Sequence, residues 1–261
     1  LLVRTSGGMS PTERADKLQP EVRAVVASIE KVVQPDRQFD AASANRVFRI
    51  SVSDYSESTL LPHMLRRMRL EAPDVTLDIL TPSDVNYQNL EQGSVDLVIN
   101  RFDDLPQSFH QRTIWRDGFS CMFSRQHPIR NNFNLGTYLK AGHVWVSKTG
   151  MGKGMGMDPD GTQSLGWVDE ALAKLGKKRR IRVFTRHYES AMRLANLRDL
   201  IITLPSKAAN RLRNDPSVII LPPPFEIPEI ELTMAWSPLL QHSPAHQWMR
   251  RLIADVAQDV D

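Results

Sequence analysis

The sequence predicts an α/β protein of two similar α/β units behind a seamed leading helix, and three features carry that prediction. Strand-like and helix-like patterns alternate five times between Val47 and Ile99. The alternation starts afresh at Val144 and runs to Leu221. Ahead of both, apolar residues recur at alternating spacings of three and four, which is a heptad seam.

The leading helix opens at Ser10-Pro11-Thr12-Glu13. There Ser10 can cap, Pro11 suits the first helical position and Glu13 can close a capping box. Its seam is Ala15, Leu18, Val22, Val25, Ile29 and Val32. That stripe is narrower than an ordinary core-facing one, so it wants a partner helix; packing on its own domain is the alternative. Pro20 removes one backbone donor and should kink the helix, and Gln34-Pro35-Asp36 should end it.

A polar linker, residues 36–45, leads into the first unit. Val47–Val52 reads as a strand. Ser53-Asp54-Tyr55-Ser56 can cap the helix that follows, which carries Leu60, Leu61, Met64, Leu65 and Met68 on one face. Ala72-Pro73-Asp74 stops it, and Val75–Leu80 alternates as a second strand. A short helix from Ser83 to Gln92 should end at Gly93 in a left-handed cap, before a third strand, Val95–Ile99. This order implies a parallel sheet with right-handed crossovers. Two strand-like runs then fill Gln111–Phe123, broken at Asp117-Gly118. The second unit places strands at Val144–Val146, Ile181–Phe184, Leu200–Thr203 and Val218–Leu221. Its helices are Ser164–Leu175, His187–Leu197 and Ser206–Arg213. A last strand, Ile230–Trp236, and an amphipathic helix, Ala245–Val256, close the chain.

Composition excludes several classes. With 41% hydrophobic and 24% charged residues the chain is ordinary for a globular protein and long enough to bury a large core. No apolar run approaches the roughly 18 residues a membrane span needs, and no signal-peptide pattern or initiator Met stands at Leu1. The N-terminus therefore reads as processed or truncated, and the cytoplasm as the compartment. The single cysteine, Cys121, lies in the apolar run Phe119–Phe123; it is either a buried strand residue or a redox switch. The net charge of +3 permits nucleic-acid binding without showing it. The basic run Lys177–Arg180 is either a solvated helix-to-strand turn or a contact surface.

No hydrolase elbow, zinc-protease motif or histidine cluster is present, so no catalytic residue, cofactor or metal is implied. A binding site has a better basis. Ligands of open parallel sheets sit beyond the carboxyl ends of strands, where helix N-termini favour anions. Those ends here are Ser53, Asp54, Tyr55 and Ser56, then Asn100 and Arg101, Ser147, His187 with Tyr188, and Thr203. Asp54 opposes an anion if it points inward and otherwise caps its own helix. Arg101 either pairs with an acid or is a solvated loop charge. Tyr55, Tyr188 and Trp145 can supply aromatic contact.

Several stretches, in this order, resemble LysR-type bacterial transcription regulators. Leu1–Pro11 resembles the end of their winged helix-turn-helix wing, and residues 12–34 resemble their linker helix. Glu71-Ala-Pro-Asp-Val-Thr-Leu and Glu91-Gln-Gly-Ser-Val-Asp-Leu-Val-Ile resemble the passages into their second and third strands, and His127-Pro128 and Leu204-Pro205 also fall in place. Phe119-Ser-Cys-Met-Phe and Lys178-Arg-Arg-Ile-Arg resemble runs of the branch that answers nodulation flavonoids and aromatic acids.

The resemblance implies two Rossmann-like subdomains of the type 2 periplasmic-binding-protein kind, joined by two crossover strands, with an effector in the cleft. Residues 46–122 with 230–261 would form subdomain I, and 123–229 subdomain II. His187 and His242 resemble pocket residues of the aromatic-acid responders, a surface or capping role being the alternative. The implied partners are a small organic anion, promoter DNA through a head of which only residues 1–11 remain, and further copies in a homodimer or homotetramer. The glycine-rich run Gly150–Gly156 departs from the family, and its Lys153-Gly154 rules out a P-loop; it is a mobile cleft-edge loop or an anion-binding nest. A solute-binding protein of the same fold has no obvious use for the seamed helix, and an enzyme on a two-domain α/β scaffold would show turnover.

Overall fold

A hairpin and a helix make up the first of two units, Leu1–Phe39; the second is Asp40–Asp261. The computed structural model describes residues 1–5, 7–33, 39–102, 105–146 and 166–260, with backbone alone at Thr5 and 30–33. In the first unit β1 (Leu2–Thr5) pairs antiparallel with β2 (Gly8–Pro11), and α1 (Glu13–Val33) follows. Ser10 pairs with Val3 in the ladder, so it is not the cap expected. Thr12 caps instead, its Oγ1 accepting from Ala15 N at 3.3 Å, and Glu13 pairs with Lys17 on the exposed face. The helix continues through Pro20. Val22, Val25 and Ile29 of the seam are each more than half exposed. The expected helix stop at residues 34–36 lies outside the described residues.

In the second unit, β3 (Val47–Val52), β4 (Thr76–Leu80) and β5 (Leu97–Asn100) are parallel. The first sheet is completed by β6 (His110–Asp117) and, through the chain's return, β12 (Ile230–Trp236), in the order β4-β3-β5-β12-β6. The parallel pairing expected of β3, β4 and β5 holds, and strand β12, antiparallel to both its neighbours, makes the whole sheet mixed. The all-buried run Leu97-Val98-Ile99 suits a strand covered on both faces.

The second sheet is built from β7 (Phe119–Ser124), β8 (Gly142–Val146), β9 (Arg180–Thr185), β10 (Leu200–Pro205) and β11 (Val218–Leu221), in the order β11-β7-β10-β8-β9. Strands β8, β9 and β10 are parallel, and β7 is antiparallel to β10 and β11. The two runs broken at Asp117-Gly118 are therefore no hairpin: β6 ends in one sheet and β7 begins in the other. The division expected after residue 122 falls inside β7, whose partners all lie in the second sheet.

Local chemistry explains where helices depart from expectation. The single helix anticipated after Ser53 is two, α2 (Asp54–Thr59) and α3 (Leu61–Glu71), because Pro62 has no N–H to carry the ladder across. Only Tyr87–Glu91 of the helix expected over 83–92 is α-helical, as α4. Asn86 and Asn89 cap it reciprocally, and Gly93 follows at φ +70°, a conformation that favours glycine. An unanticipated helix, α5 (Leu135–Lys140), begins with a similar Asn134–Thr137 box. The remaining helices are α6 (Trp167–Lys174), α7 (Tyr188–Ala195), α8 (Ser206–Asn210) and α9 (Pro244–Val256).

Two fully buried histidines, held as neutral rings, tie these elements by hydrogen bonds. His246 of α9 donates from Nε2 to the Asp96 carbonyl at 2.7 Å and accepts at Nδ1 from Arg250 at 2.6 Å. Burial lowers its pKa to about 4, and burial lowers that of His143, bonded to the Tyr138 carbonyl, to about 3. In the unfolded chain both titrate near the ordinary value, so that chain binds more protons below about pH 6.5. Stability should therefore be full above pH 6.5 and fall towards pH 4. Each histidine's share of the slope should approach about 1.4 kcal/mol per pH unit. The buried carboxylates Asp96 and Asp117 are raised and act with the opposite sign, nearer the carboxylate range. Denaturant unfolding at pH 7.5, 6.0 and 5.0 measures the slope, and His246→Gln should flatten it. An unchanged profile in that variant would show that His246 is not held neutral.

Candidate functional site

Strands β8 and β10 end, and β7 begins, beside a concavity of about 330 Å³, its open mouth included. Its walls are aromatic: Phe119, Trp145, Trp167 and Tyr188 line it. Thr203 and Arg179 supply side-chain polar groups. Only about 20 Å³ of it can hold the centre of a water-sized sphere, room for about one water, so a larger ligand has to part its walls. All of these residues belong to the second sheet and its helices. The first sheet reaches the same place through Arg101, whose guanidinium lies 4.4 Å above the Trp167 ring, and through Tyr55, whose ring packs edge-on against Tyr188 at 6.2 Å.

Two carboxylates fasten the first sheet to helix N-termini of the second. The Oδ2 of Asp54, at the start of α2, accepts from the backbone N–H of Tyr188, the first residue of α7, at 2.5 Å. His187 precedes α7 and provides no side-chain cap, so Asp54 takes that place from the other sheet. It neither caps its own helix nor points free into the cleft; Ser53 caps α2. Asp117, the last residue of β6, accepts from the Tyr55 hydroxyl at 2.6 Å and from Lys207 N in α8 at 3.1 Å. The Trp115 indole donates to the same tyrosine oxygen at 3.0 Å. Burial raises both carboxyls above their usual values, while the N–H donors and the neighbouring His187 and Lys207 pull the other way.

These contacts locate the residues singled out from the sequence. Asp54, Tyr55 and Tyr188 come together, and Thr203 shares the cavity with Tyr188. Ser53 and Ser56 are buried and bonded to each other at 3.1 Å within the α2 cap. Asn100 ends β5 and turns its amide oxygen onto Arg101 N. His187 is exposed before α7. Ser147 and the glycine-rich run lie outside the described residues. His242 is set apart. Because β12 runs antiparallel to β5, its C-terminal end lies beside the beginning of β5, away from the ends that carry Asn100 and Ser53.

Two residues escaped the sequence reading. Asp117 was visible only as a break between strands. Arg179 was one of four cations in a run, yet its side chain is 2% exposed and makes a two-pronged pair with Asp169, at 2.8 and 2.6 Å. Lys177, Lys178 and Arg180 are the solvated part of that run. An Asp ten residues ahead, in the first turn of α6, is the one sequence signal for a partner. Cys121 is the buried strand cysteine of the two alternatives. It contacts Thr203 Oγ1 at 3.4 Å, and burial pushes its thiol up to about 12, so little reactive thiolate forms.

The sequence matches the LysR substrate binding domain over residues 41–146 and 153–258. It is 27% identical to the HTH-type transcriptional activator NagR of Ralstonia sp over 258 residues, 98% of this chain and 82% of that protein. It is 29% identical to the HTH-type transcriptional regulator SyrM 1 of Sinorhizobium fredii over 98% of this chain and 72% of that one. Among solved structures, a probable transcriptional regulator, PA0477 from Pseudomonas aeruginosa, superimposes with a TM-score of 0.70 at 25% identity, covering 97% of this chain and 82% of its own. The match of the substrate-binding domain spans both five-stranded sheets and most of the sequence, and so the chain belongs to the LysR family of transcription regulators, cytoplasmic proteins that are not enzymes.

Proposed function

We propose that this regulator senses a small organic anion, an aromatic carboxylate by preference, in the cavity between Trp145, Trp167 and Tyr188. The observation that carries the reading is that one small aromatic-walled cavity is lined by the second sheet, and that Arg101 and Tyr55 of the first sheet pack on two of its lining residues, Trp167 and Tyr188. A ligand there touches both sides of the Asp54 and Asp117 fastenings, so binding has a differential effect on closure. Subdomain I with its β12 and α9 return, subdomain II, promoter DNA and further copies of the chain complete the proposed machine. The identity shared with an activator and a regulator described as HTH-type supports the DNA partner.

Thermal melting against a panel of aromatic and aliphatic acids, neutral sugars and amines tests the effector class. At a hundredfold excess over its Kd a true ligand stabilises by about 2.7 kcal/mol, a readable shift. Arg101→Ala should uncover Trp167 and reduce that shift. Stabilisation by sugars or amines alone would sink the anion reading.

Closure should depend on Asp54. Asp54→Ala leaves the first N–H of α7 without its carboxylate and should cost about 1 kcal/mol in denaturant unfolding, the usual worth of an N-cap. A change within about 0.3 kcal/mol would mean that Asp54 does not hold the two sheets.

The α1 seam should pair two copies. Each buried aliphatic side chain contributes roughly 1.5–3 kcal/mol, and Val22, Val25 and Ile29 are exposed in one chain. Val22→Asp with Ile29→Asp should halve the mass seen by light scattering. A double variant of unchanged mass would place the interface elsewhere.

A further inference from the structure

Charge is unevenly shared along the chain. Residues 119–221, which hold the second sheet, contain 17 of its 33 lysines and arginines but 7 of its 30 aspartates and glutamates. The rest of the chain is therefore acidic on balance. Asymmetry of this kind suits a polyanionic partner.

The topology gathers the excess at one end of the sheet. Strands β8, β9, β10 and β11 begin where β7 ends, opposite the end that borders the cavity. Every strand brings an exposed cation there. Arg125 follows β7, Lys140 precedes β8, Lys177 and Lys178 precede β9, Arg198 precedes β10 and Arg213 precedes β11. The ion pairs of this region among the described residues are Arg179–Asp169, Arg193–Glu189 and Arg211–Glu189, so none of the six is neutralised by one. Arg125 Nε donates to the Pro216 carbonyl at 2.7 Å, which fixes that side chain without cancelling its charge. Two acids, Asp199 and Asp215, stand at the same end, and Asp215 accepts from Ser217 N and Oγ at 2.8 and 2.7 Å. Like charges held together repel, and a polyanion that covers them relieves the repulsion.

We propose that this end of the second sheet is a sequence-independent contact for the phosphate backbone of duplex DNA. The proposal goes beyond the effector reading and stands whether or not that reading holds. Neighbouring strands lie about 4.8 Å apart, so five of them spread their cations over about 19 Å. Duplex DNA carries one charge per about 1.7 Å of its axis, so on the order of eleven phosphates lie along such a row. Contacts of this type hold a protein in place on the duplex and carry no sequence information. Membership of a family of transcription regulators makes DNA the polyanion at hand. A lipid surface fits less well, because the cations stand on turns and element ends, with no amphipathic helix face to enter a bilayer. An acidic protein also fits less well. The exposed large apolar side chains at this end among the described residues, Leu175 and Leu197, are single residues that follow two different helices, whereas a protein interface gathers an apolar centre.

The test is fluorescence anisotropy of a labelled duplex of about 20 base pairs and arbitrary sequence, titrated with the whole chain between about 50 and 200 mM salt. Binding should weaken as salt rises, with a log–log slope of about −0.9 for each phosphate contacted. Lys177→Glu with Arg198→Glu should reduce that slope by about 1.8 and the affinity at the lower salt by about tenfold or more. Lys140→Glu with Lys178→Glu is a second pair with the same expectation. Arg66→Glu with Arg69→Glu, on α3, changes the net charge by the same amount outside the patch and should leave the slope as it is. All of these side chains are exposed, so each variant should melt as the wild type does. Equal losses in the α3 variant and the patch variants would mean that net charge alone attracts the DNA, and the inference fails. It fails too if either folded patch variant keeps the wild-type slope, or if the wild type shows no salt-dependent binding. Polyglutamate held more tightly than the duplex through the same patch would give the surface to an acidic protein and overturn the DNA assignment.

Discussion

One buried carboxylate, Asp117, stands where the chain leaves the first sheet for the second. It is the last residue of β6, and the next strand begins two residues later in the other sheet. Its oxygen holds the Tyr55 hydroxyl from one side and the α8 backbone from the other. Both donors reach the same oxygen, Oδ2, and the negative charge of a carboxylate strengthens both bonds. That one acceptor ties α2 of the first sheet to α8 of the second.

Asp54, earlier in the same unit, repeats the device with α7 in place of α8. Both residues are acidic groups placed at positive helix ends, the arrangement a free anion would otherwise adopt. The protein has thus filled from its own side chains the anion positions that strand-and-helix topology creates. This removes the helix N-termini of α7 and α8 as general anion traps. It also means that closing the two sheets and screening their charges are one event, because each fastening carries a buried carboxyl raised by desolvation.

The fold was legible in the sequence because period-two and period-3.6 patterns are local. Strands β3, β5, β10 and β12 were found within a residue or two for that reason. What the pattern could not carry was pairing. Nothing in Gln111–Phe123 tells a hairpin from a change of sheet, since both need a break at Asp117-Gly118, and nothing in Ile230–Trp236 announces an antiparallel place between β5 and β6. The candidate site divides in the same way. Strand ends led to Tyr55, Tyr188 and Thr203, which do meet at or near the cavity. Ser53 and Ser56 were in the right place, but their hydroxyls are spent on a cap.

Arg179 shows why the rest was illegible. Four consecutive cations look alike in a sequence, and the ordinary fate of such a run is solvation. Three of the four do lie in water. The fourth is turned inward, 5% exposed, against Asp169 from the first turn of α6. Burying that pair costs desolvation that a well-packed apolar pair would not, so stability alone is a poor reason for it. The pair accounts for two of the guanidinium nitrogens, and the group also has a hydrogen bond with Tyr138. Those partners stand in α6 and α5, outside the run, and so the run itself could not tell this cation from its neighbours.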